Sequence, residues 1–273
     1  MTLESIGLPL VYRGLVPDFL IRAGIRSMLS SMVSAQEGPS FAERVAAKLA
    51  YVKDLKTRGL AESTQAANVQ HYEVPAAFYE FVMGPFRKYS SGVWAPGAPA
   101  GAAGLPASEG AALAQVCERA GITDAAGPLR VLDMGCGWGS FSLYCAARFP
   151  QAAVTGVSNS ASQREFIMGQ AAARGLTNLR IVTCDINAFD GAGGGFDRVV
   201  SIEMMEHCKN YELLLQRVAS WMAPSGRFFV HIFTHKHTPF HYTTGWVRGG
   251  EGRGGERSPL SRRKRAAPTR TRR

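Results

Sequence analysis

Three closely spaced glycines constrain the fold of this chain more than any other feature. The stretch "VLDMGCGWGS", residues 131–140, places Gly135, Gly137 and Gly139 directly between a predicted strand and a predicted helix. Glycine lets the backbone turn tightly and approach a ligand, and the N-terminus of a helix offers free N–H groups. The stretch therefore predicts a ligand-binding turn at the carboxyl end of a strand, although a tight turn without a ligand stays open as an alternative.

Apolar runs and helical periodicities alternate on both sides of this turn. Strands that alternate with helices indicate βαβ units and a parallel sheet. We therefore expect an α/β fold, with a Rossmann-like sheet of five strands behind a helical N-terminal region. The predicted strands are 129–135, 152–158, 179–185, 196–203 and 227–233, and the predicted helices between them are 139–149, 160–176 and 211–222.

Composition divides the chain into four predicted parts. Residues 1–93 form a helical cap, because 41–60 and 74–84 have apolar residues at helical spacing. Residues 94–110 are rich in Ala, Gly and Pro and predict a flexible linker. Residues 111–246 form the α/β domain. Residues 247–273 contain almost nothing apolar and predict a disordered, Arg-rich tail.

The formal net charge of +10 comes mostly from this tail, which holds ten Arg or Lys residues and two Glu. A nucleic-acid surface is therefore not expected on the folded domain. A binding module without catalytic activity, carrying an RNA-binding tail, is one alternative function.

Five scattered cysteines without a C-x-x-C pair favour a reducing setting and argue against a zinc site. No apolar run is long enough to span a membrane. We expect a cytoplasmic protein, with an organellar transit peptide left open by the acid-poor N-terminus. The sequence does not indicate the oligomeric state.

The spacing of the glycines is G-x-G-x-G, which differs from the dinucleotide-binding fingerprint. That fingerprint also requires an acidic residue at the end of the second strand, where this chain has "SNS", residues 158–160. A nucleoside with a charged amino-acid tail fits the turn as well. Asp185, after the third strand, could accept a hydrogen bond from an adenine amino group.

Several further motifs occur in the same order as in one known family. "VLDMGCGWGS" resembles motif I of class I S-adenosylmethionine-dependent methyltransferases. The further stretches are "QHYEVPAAFYEFVMG", "RKYSSGVW", "VTGVSNSASQ", "SIEMMEHCKNY" and "FVHIFTHKHTPFHY". Through these stretches the chain resembles the cyclopropane-fatty-acyl-phospholipid synthase superfamily, nearest its coclaurine and pavine N-methyltransferase branch.

The resemblance implies S-adenosylmethionine as the cofactor. We expect no metal, because the cysteines are scattered and no further ligand cluster accompanies the Glu and His residues. The resemblance also implies a set of cofactor-binding residues along the glycine turn and the ends of the first three strands. These are Tyr89, Ser90, Asp133, Gly135, Cys136, Gly137, Ser158, Asn159, Gln163, Asp185 and Ile186.

Two carboxylates and an imidazole follow the fourth predicted strand. Glu203, Glu206 and His207 are spaced i, i+3, i+4 and would share one face if the segment were helical. The resemblance implies that Glu206 and His207 bind a substrate ammonium and take its proton, joined by Glu73, with Glu203 as a support. The same spacing also fits the acidic first turn of a helix, and a metal site is a weaker third interpretation.

The acceptor is either a small amine or an unsaturated lipid chain. Cyclopropane synthases carry Cys after the "YS" pair, where this chain has Ser91, as the N-methyltransferase branch does. This favours an amine. His231 matches both branches.

The resemblance also implies two more strands and a lid after residue 246. We expect the sheet to lack its last two strands, and the C-terminus to be truncated or frame-shifted.

Overall fold

A five-stranded parallel sheet forms the centre of the larger of two units. The computed structural model describes residues 3–37, 40–62 and 76–234. Glu73 and the predicted tail 247–273 therefore lie outside the described residues. One unit comprises residues 1–48 and 236–273, and the other comprises 49–235. In the first unit, α1 (Leu3–Tyr12) and α2 (Asp18–Glu37) precede α3 (Phe41–Thr57), which continues into the second.

The strands of the second unit run in the order β3-β2-β1-β4-β5, and every neighbouring pair is parallel. The strand order reverses between β1 and β4, which creates a crevice at the carboxyl ends of these two strands. The predicted α/β fold with a parallel sheet is confirmed. The strands are β1 (Arg130–Met134), β2 (Ala153–Ser158), β3 (Leu179–Thr183), β4 (Phe196–Ile202) and β5 (Met222–His231).

Helices cover both faces of the sheet. The helices of this unit after α3 are α4 (Ala76–Val82), α5 (Leu105–Ala120), α6 (Ser140–Arg148), α7 (Ala161–Ala173) and α8 (Tyr211–Trp221). On one face, α5, α6 and α7 pack against Val131, Val154 and Val200. On the other face, α8 packs against Leu132 and Val199. Strands covered on both faces read as continuous apolar runs, which is the pattern that the sequence displays.

The last strand begins earlier than the predicted 227–233. Met222 already pairs with Phe196, and the register then shifts before Arg198 pairs with Arg227. The residues Pro224 to Gly226 therefore lie inside β5. The sequence analysis had predicted that they form a turn before the strand. Proline and glycine are tolerated at such an irregularity.

The predicted linker 94–110 is wrong in its second half, because α5 begins at Leu105. Pro106 occupies the first turn of α5, where its missing N–H costs nothing. The first half is packed as well, since a Cβ on Gly104 would collide with the Trp94 ring. Alanine-rich composition was interpreted as flexible, although alanine is the residue that most favours a helix.

Glu109, on the buried face of α5, binds this segment to a distant part of the chain. Only 2% of its surface is exposed, and its two carboxylate oxygens accept the N–H groups of Gly84 and Phe86 at 3.0 and 2.9 Å. A Cβ on Gly84 would lie 2.6 Å from the Glu109 carboxylate. The carboxylate thus joins α5 to the loop that follows α4.

We expect Glu109→Ala to lower the free energy of unfolding by about 2–4 kcal/mol, because two buried N–H groups lose their acceptor. Chemical denaturation monitored by circular dichroism would measure the loss. Glu118→Ala, an exposed change on the same helix, is the matched control and should alter stability by less than about 0.5 kcal/mol. Equal effects of the two substitutions would contradict this role of Glu109.

Candidate active site

The crevice at the carboxyl ends of β1 and β4 brings the glycine turn and the Glu/His cluster to one edge of the sheet. The glycine turn follows β1, and Glu203 to His207 follow β4. The ends of β2 and β3 lie beside them in the same sheet. The sequence-predicted residues on these four strand ends are therefore grouped as the parallel topology requires.

The glycine turn is built on left-handed backbone angles. Gly135 has φ +82°, and a Cβ there would lie 2.5 Å from the Met204 side chain. The N–H groups of Gly135 and Cys136 donate to the Val157 carbonyl at 3.1 and 2.9 Å, which fixes the turn to β2. Gly137 has φ +53°, and a Cβ there would meet nothing within 4 Å. The turn thus packs tightly at Gly135 and is open at Gly137.

Asp133 lies beneath the turn. It is 2% exposed, and its carboxylate accepts the Ser142 hydroxyl at 2.6 Å. Burial raises the pKa of Asp133 to about 6, while hydrogen bonds from the Ser142 hydroxyl and N–H act in the opposite direction. In the structure, this predicted cofactor-binding residue holds the first turn of α6.

The end of β2 carries a buried polar pair. The Ser158 hydroxyl donates to Gln163 Oε1 at 2.6 Å, and Gln163 is 1% exposed. Within the part of the chain that the structure describes, Gln163 Nε2 has no hydrogen-bond partner although it is buried. Asn159 is half-buried beside them. An unsatisfied buried amide at this edge can receive a polar ligand.

At the end of β3, Asp185 is engaged by its neighbour. Asp185 Oδ1 accepts the backbone and side-chain N–H groups of Asn187 at 2.8 and 2.9 Å. Asn187 in turn binds the backbone of Ala61 in both directions, at 3.1 Å. Ile186 is half-buried between them. These bonds hold the loop in place and determine where the Asp185 carboxylate lies.

Glu203 links β4 to the "KYSS" segment. Its carboxylate oxygens accept the hydroxyls of Ser90 and Ser91, the second at 2.7 Å. Its N–H donates to the His231 carbonyl at 2.8 Å, and His231 Nδ1 lies 4.0 Å from Glu203 Oε1. Tyr89 is 74% exposed, and its ring centroid is 6.5 Å from that of Tyr79. Glu203 therefore supports the segment predicted to bind the cofactor.

The expected helical face of Glu203, Glu206 and His207 does not form. Glu203 has a left-handed φ of +53°, and only Met205–His207 turn as a short 3-10 helix. The Glu203 carboxylate binds the hydroxyl of Ser91. The His207 side chain, in contrast, is exposed. The three side chains therefore do not lie on one face of a helix.

Glu206 has the chemistry of a base. It is half-buried, and its Oε2 is buried without a hydrogen-bond partner among residues 3–37, 40–62 and 76–234. Burial raises the pKa of Glu206, the N–H groups of Glu206 and Phe233 lower it, and the nearby Glu203 charge raises it. A carboxylate that is costly to keep charged binds a proton readily.

Sequence reasoning missed two charged residues next to this site. Lys88 is 9% exposed, and burial lowers its pKa, whereas the charges of Glu203 and Glu109 raise it. Lys88 directly precedes Tyr89 in "KYSS", and Glu109 was assigned to the linker. A polar residue within an apolar helical stripe was the available signal for Glu109.

Across the described ranges, no group of three or more His, Cys, Asp or Glu side chains could hold a metal ion. No helix in those ranges is long and apolar enough to cross a membrane.

Known proteins are similar to this chain in sequence and in fold. The chain is 34% identical over 229 residues to (S)-coclaurine N-methyltransferase of Thalictrum flavum subsp. glaucum, covering 84% of this chain and 61% of the relative. It is 32% identical over 171 residues to cyclopropane-fatty-acyl-phospholipid synthase of Escherichia coli (strain K12), covering 62% of this chain and 41% of that protein. The chain thus spans about three fifths of the length of the N-methyltransferase.

A crystal structure of coclaurine N-methyltransferase bound to N-methylheliamine and SAH superposes with a TM-score of 0.75 at 32% identity. The match covers 82% of this chain and 62% of that one. It confirms the predicted Rossmann-like class I methyltransferase fold. The sequence model of the family described as mycolic acid cyclopropane synthetase matches residues 61–248. The resemblance inferred from the motifs is confirmed, and the chain belongs to the mycolic acid cyclopropane synthetase family.

Proposed function

We propose that this protein is an S-adenosylmethionine-dependent methyltransferase that N-methylates a small amine. The observation that carries the proposal is a buried carboxylate oxygen of Glu206, which has no hydrogen-bond partner among the described residues. It lies at the sheet edge that also carries the glycine turn. The similarity to (S)-coclaurine N-methyltransferase supports the same reaction.

The glycine turn and the end of β2 fit such a cofactor. Within the described part of the chain, the space at Gly137 is open to a ligand that approaches the backbone, and the buried Gln163 Nε2 is a donor without a partner. When bound, S-adenosylmethionine supplies an electrophilic methyl group on a sulfonium. Ser158, Asn159 and Gln163 would hold its ribose side. Gly135, Cys136, Gly137 and Asp133 would form the floor, with Tyr89 and Ser90 at its methionine part and Asp185 and Ile186 at its adenine.

Glu206 is the proposed base, together with His207 and with Glu73, which lies outside the described residues. A protonated amine has no lone pair to attack a methyl group, so the site must bind the ammonium and remove a proton. A carboxylate attracts the cation, and the raised pKa of Glu206 brings its proton affinity closer to that of the amine. Glu203 supports the site through Ser90 and Ser91.

The residue at position 91 favours a small amine over a lipid chain as the substrate. Its hydroxyl donates to Glu203, so this position belongs to a polar, charged network. Such a network is matched to an ammonium and is a poor surface for an alkene. The alternative is cyclopropanation of an unsaturated acyl chain in lipid biosynthesis, supported by the similarity to the Escherichia coli synthase.

Methyl-labelled S-adenosylmethionine distinguishes these acceptors. We expect label to enter (S)-coclaurine and not vesicles of monounsaturated phosphatidylethanolamine, because Glu206 can take an ammonium proton. Mass spectrometry of the products would measure both. Label in the lipid alone would contradict the amine proposal, and label in neither would contradict both.

We also propose that the protein is located in the cytoplasm. All five cysteines are free in the structure, which supports the cytoplasm that the sequence predicts.

A further inference from the structure

The Asn187 side chain binds the Asp185 carboxylate in the loop that follows β3. Asn187 donates twice to Asp185 Oδ1, with its backbone N–H at 2.8 Å and with its side-chain Nδ2 at 2.9 Å. Because hydrogen bonds are directional, two donors on one oxygen fix both the position and the rotation of the carboxylate. Asp185 is the residue proposed to lie at the adenine of the cofactor, so Asn187 determines how that acceptor is oriented.

The Asn187 amide is itself oriented by the segment that follows α3. Its Oδ1 accepts the Ala61 N–H, and its Nδ2 donates to the Ala61 carbonyl, both at 3.1 Å. A side-chain amide has two N–H groups, and Asn187 uses them for Ala61 and for Asp185. Since the Ala61 N–H only donates and its carbonyl only accepts, these partners permit one orientation of the amide.

The backbone of Ala61 is in turn held in place. Ala61 pairs with Cys208 in an antiparallel bridge, and the neighbouring Leu60 carbonyl accepts the Lys209 N–H at 2.8 Å. Leu60 is 2% exposed and packs in the core. The Asn187 amide is therefore fixed from outside its own loop, by backbone that is paired with the chain after β4.

The loop backbone has anchors that do not involve the Asn187 side chain. Arg217, on α8, donates to the Asn187 carbonyl at 2.6 Å. The N–H groups of Ala188 and Phe189 donate to the Asp185 carbonyl at 2.9 and 3.0 Å, and Phe189 is 3% exposed. The side-chain amide therefore acts on the Asp185 carboxylate more than on the course of the loop.

An oriented carboxylate can distinguish purine bases by one substituent. Adenine carries an amino group that donates hydrogen bonds, whereas hypoxanthine carries a carbonyl oxygen at the same place, which only accepts. A fixed carboxylate binds the amino group and repels the carbonyl. A carboxylate that rotates freely must be ordered when the ligand binds, and this ordering lowers the affinity.

We propose that Asn187 is a positioning residue that directs the Asp185 carboxylate at the adenine amino group and thereby gives the cofactor site its preference for adenine. The inference rests on the proposed function, and it adds a residue that determines base specificity by acting through another residue.

Titrations with S-adenosylhomocysteine and S-inosylhomocysteine, whose bases differ in this substituent, test the inference on the full chain. We expect the unmodified chain to bind the adenosyl compound more than about tenfold tighter, the size of one hydrogen bond to a charged group. Asn187→Ala should weaken binding of the adenosyl compound about tenfold and change that of the inosyl compound by less than about threefold. Calorimetric titration would measure both affinities. An unchanged preference in folded Asn187→Ala would overturn the inference.

Asn178→Ala is the matched control, because Asn178 is a half-buried asparagine at the amino end of β3, away from the site. Its Nδ2 donates to three backbone carbonyls at 2.9 to 3.2 Å, those of Ala146, Phe149 and Ala152. We expect Asn178→Ala to lower the unfolding temperature and to leave the base preference unchanged. If Asn187→Ala had only this effect, Asn187 would be purely structural and the inference would be wrong.

A double-mutant cycle shows whether Asn187 acts through Asp185. In an Asp185→Ala background, Asn187→Ala should change the affinity for the adenosyl compound by less than about twofold, because no carboxylate remains to be oriented. The same tenfold loss in both backgrounds would overturn the inference. Asn187→Asp keeps the shape of the side chain but cannot donate, and it takes the place of Asn187→Ala if that variant does not fold.

The outcomes also separate the inference from the proposed function. An unmodified chain that binds neither compound overturns both. Equal affinity of the unmodified chain for the two compounds overturns the inference and leaves the proposed function standing.

Discussion

Gly137→Asp is expected to raise the Kd for S-adenosylmethionine by more than about 100-fold, the cost of placing an uncompensated charge against a ligand. Among the described residues, nothing lies within 4 Å of a Cβ at Gly137, so a Cβ fits there and the carboxylate beyond it would occupy space left open to a ligand. Its carboxylate would also repel a cofactor carboxylate. The protein should remain folded, because aspartate tolerates the left-handed φ of +53° better than most residues.

Gly175→Asp is the matched control for this substitution. Gly175 has a similar φ of +66° and an equally open Cβ position, but it follows α7, away from the carboxyl edge of the sheet. Calorimetric titration and thermal unfolding of both variants would compare affinity at equal stability. Similar affinities of the two variants would mean that the glycine turn does not bind the cofactor.

Periodicity and strand–helix alternation were sufficient to predict most of the sheet. The segments around β1 and β4 are apolar runs bounded by turns, and their predicted bounds agree with the structure within one residue. Segments whose order depends on distant partners could not be predicted in this way. Glu109, in the helical segment 105–110, binds backbone N–H groups more than twenty residues earlier, and local composition does not reveal that contact.

The candidate site was predictable in location and less so in geometry. Parallel strands bring their carboxyl ends to one edge, so the positions of Gly137 and Glu203 followed from the strand order. Orientation did not follow, because the left-handed φ of Glu203 separates it from the turn that carries Glu206. Lys88 was missed because its burial results from tertiary packing, which a sequence pattern does not display.

Glu206→Gln is the second substitution with a large expected effect, and it should act on catalysis alone. We expect kcat for amine methylation to fall by about 10²–10⁴-fold, the usual contribution of a positioned general base. Affinity for S-adenosylmethionine should change little, since glutamine has nearly the same shape. Single-turnover rates with labelled cofactor, together with calorimetric titration, would separate the two quantities. Glu118→Gln, an exposed change on α5, is the matched control.

The raised pKa of Glu206 also predicts how the methylation rate changes with pH. A base acts only when it is ionised, and burial raises the pKa of Glu206, so the rate should rise with pH through a midpoint above the usual range of a glutamate. Glu203→Gln removes a negative charge that raises this pKa, and the midpoint should therefore move to lower pH. In Glu206→Gln the rise should disappear. A rise that persists there with an unchanged midpoint would assign the proton transfer to another group, and His207, exposed at the end of the same turn, would be the next residue to test.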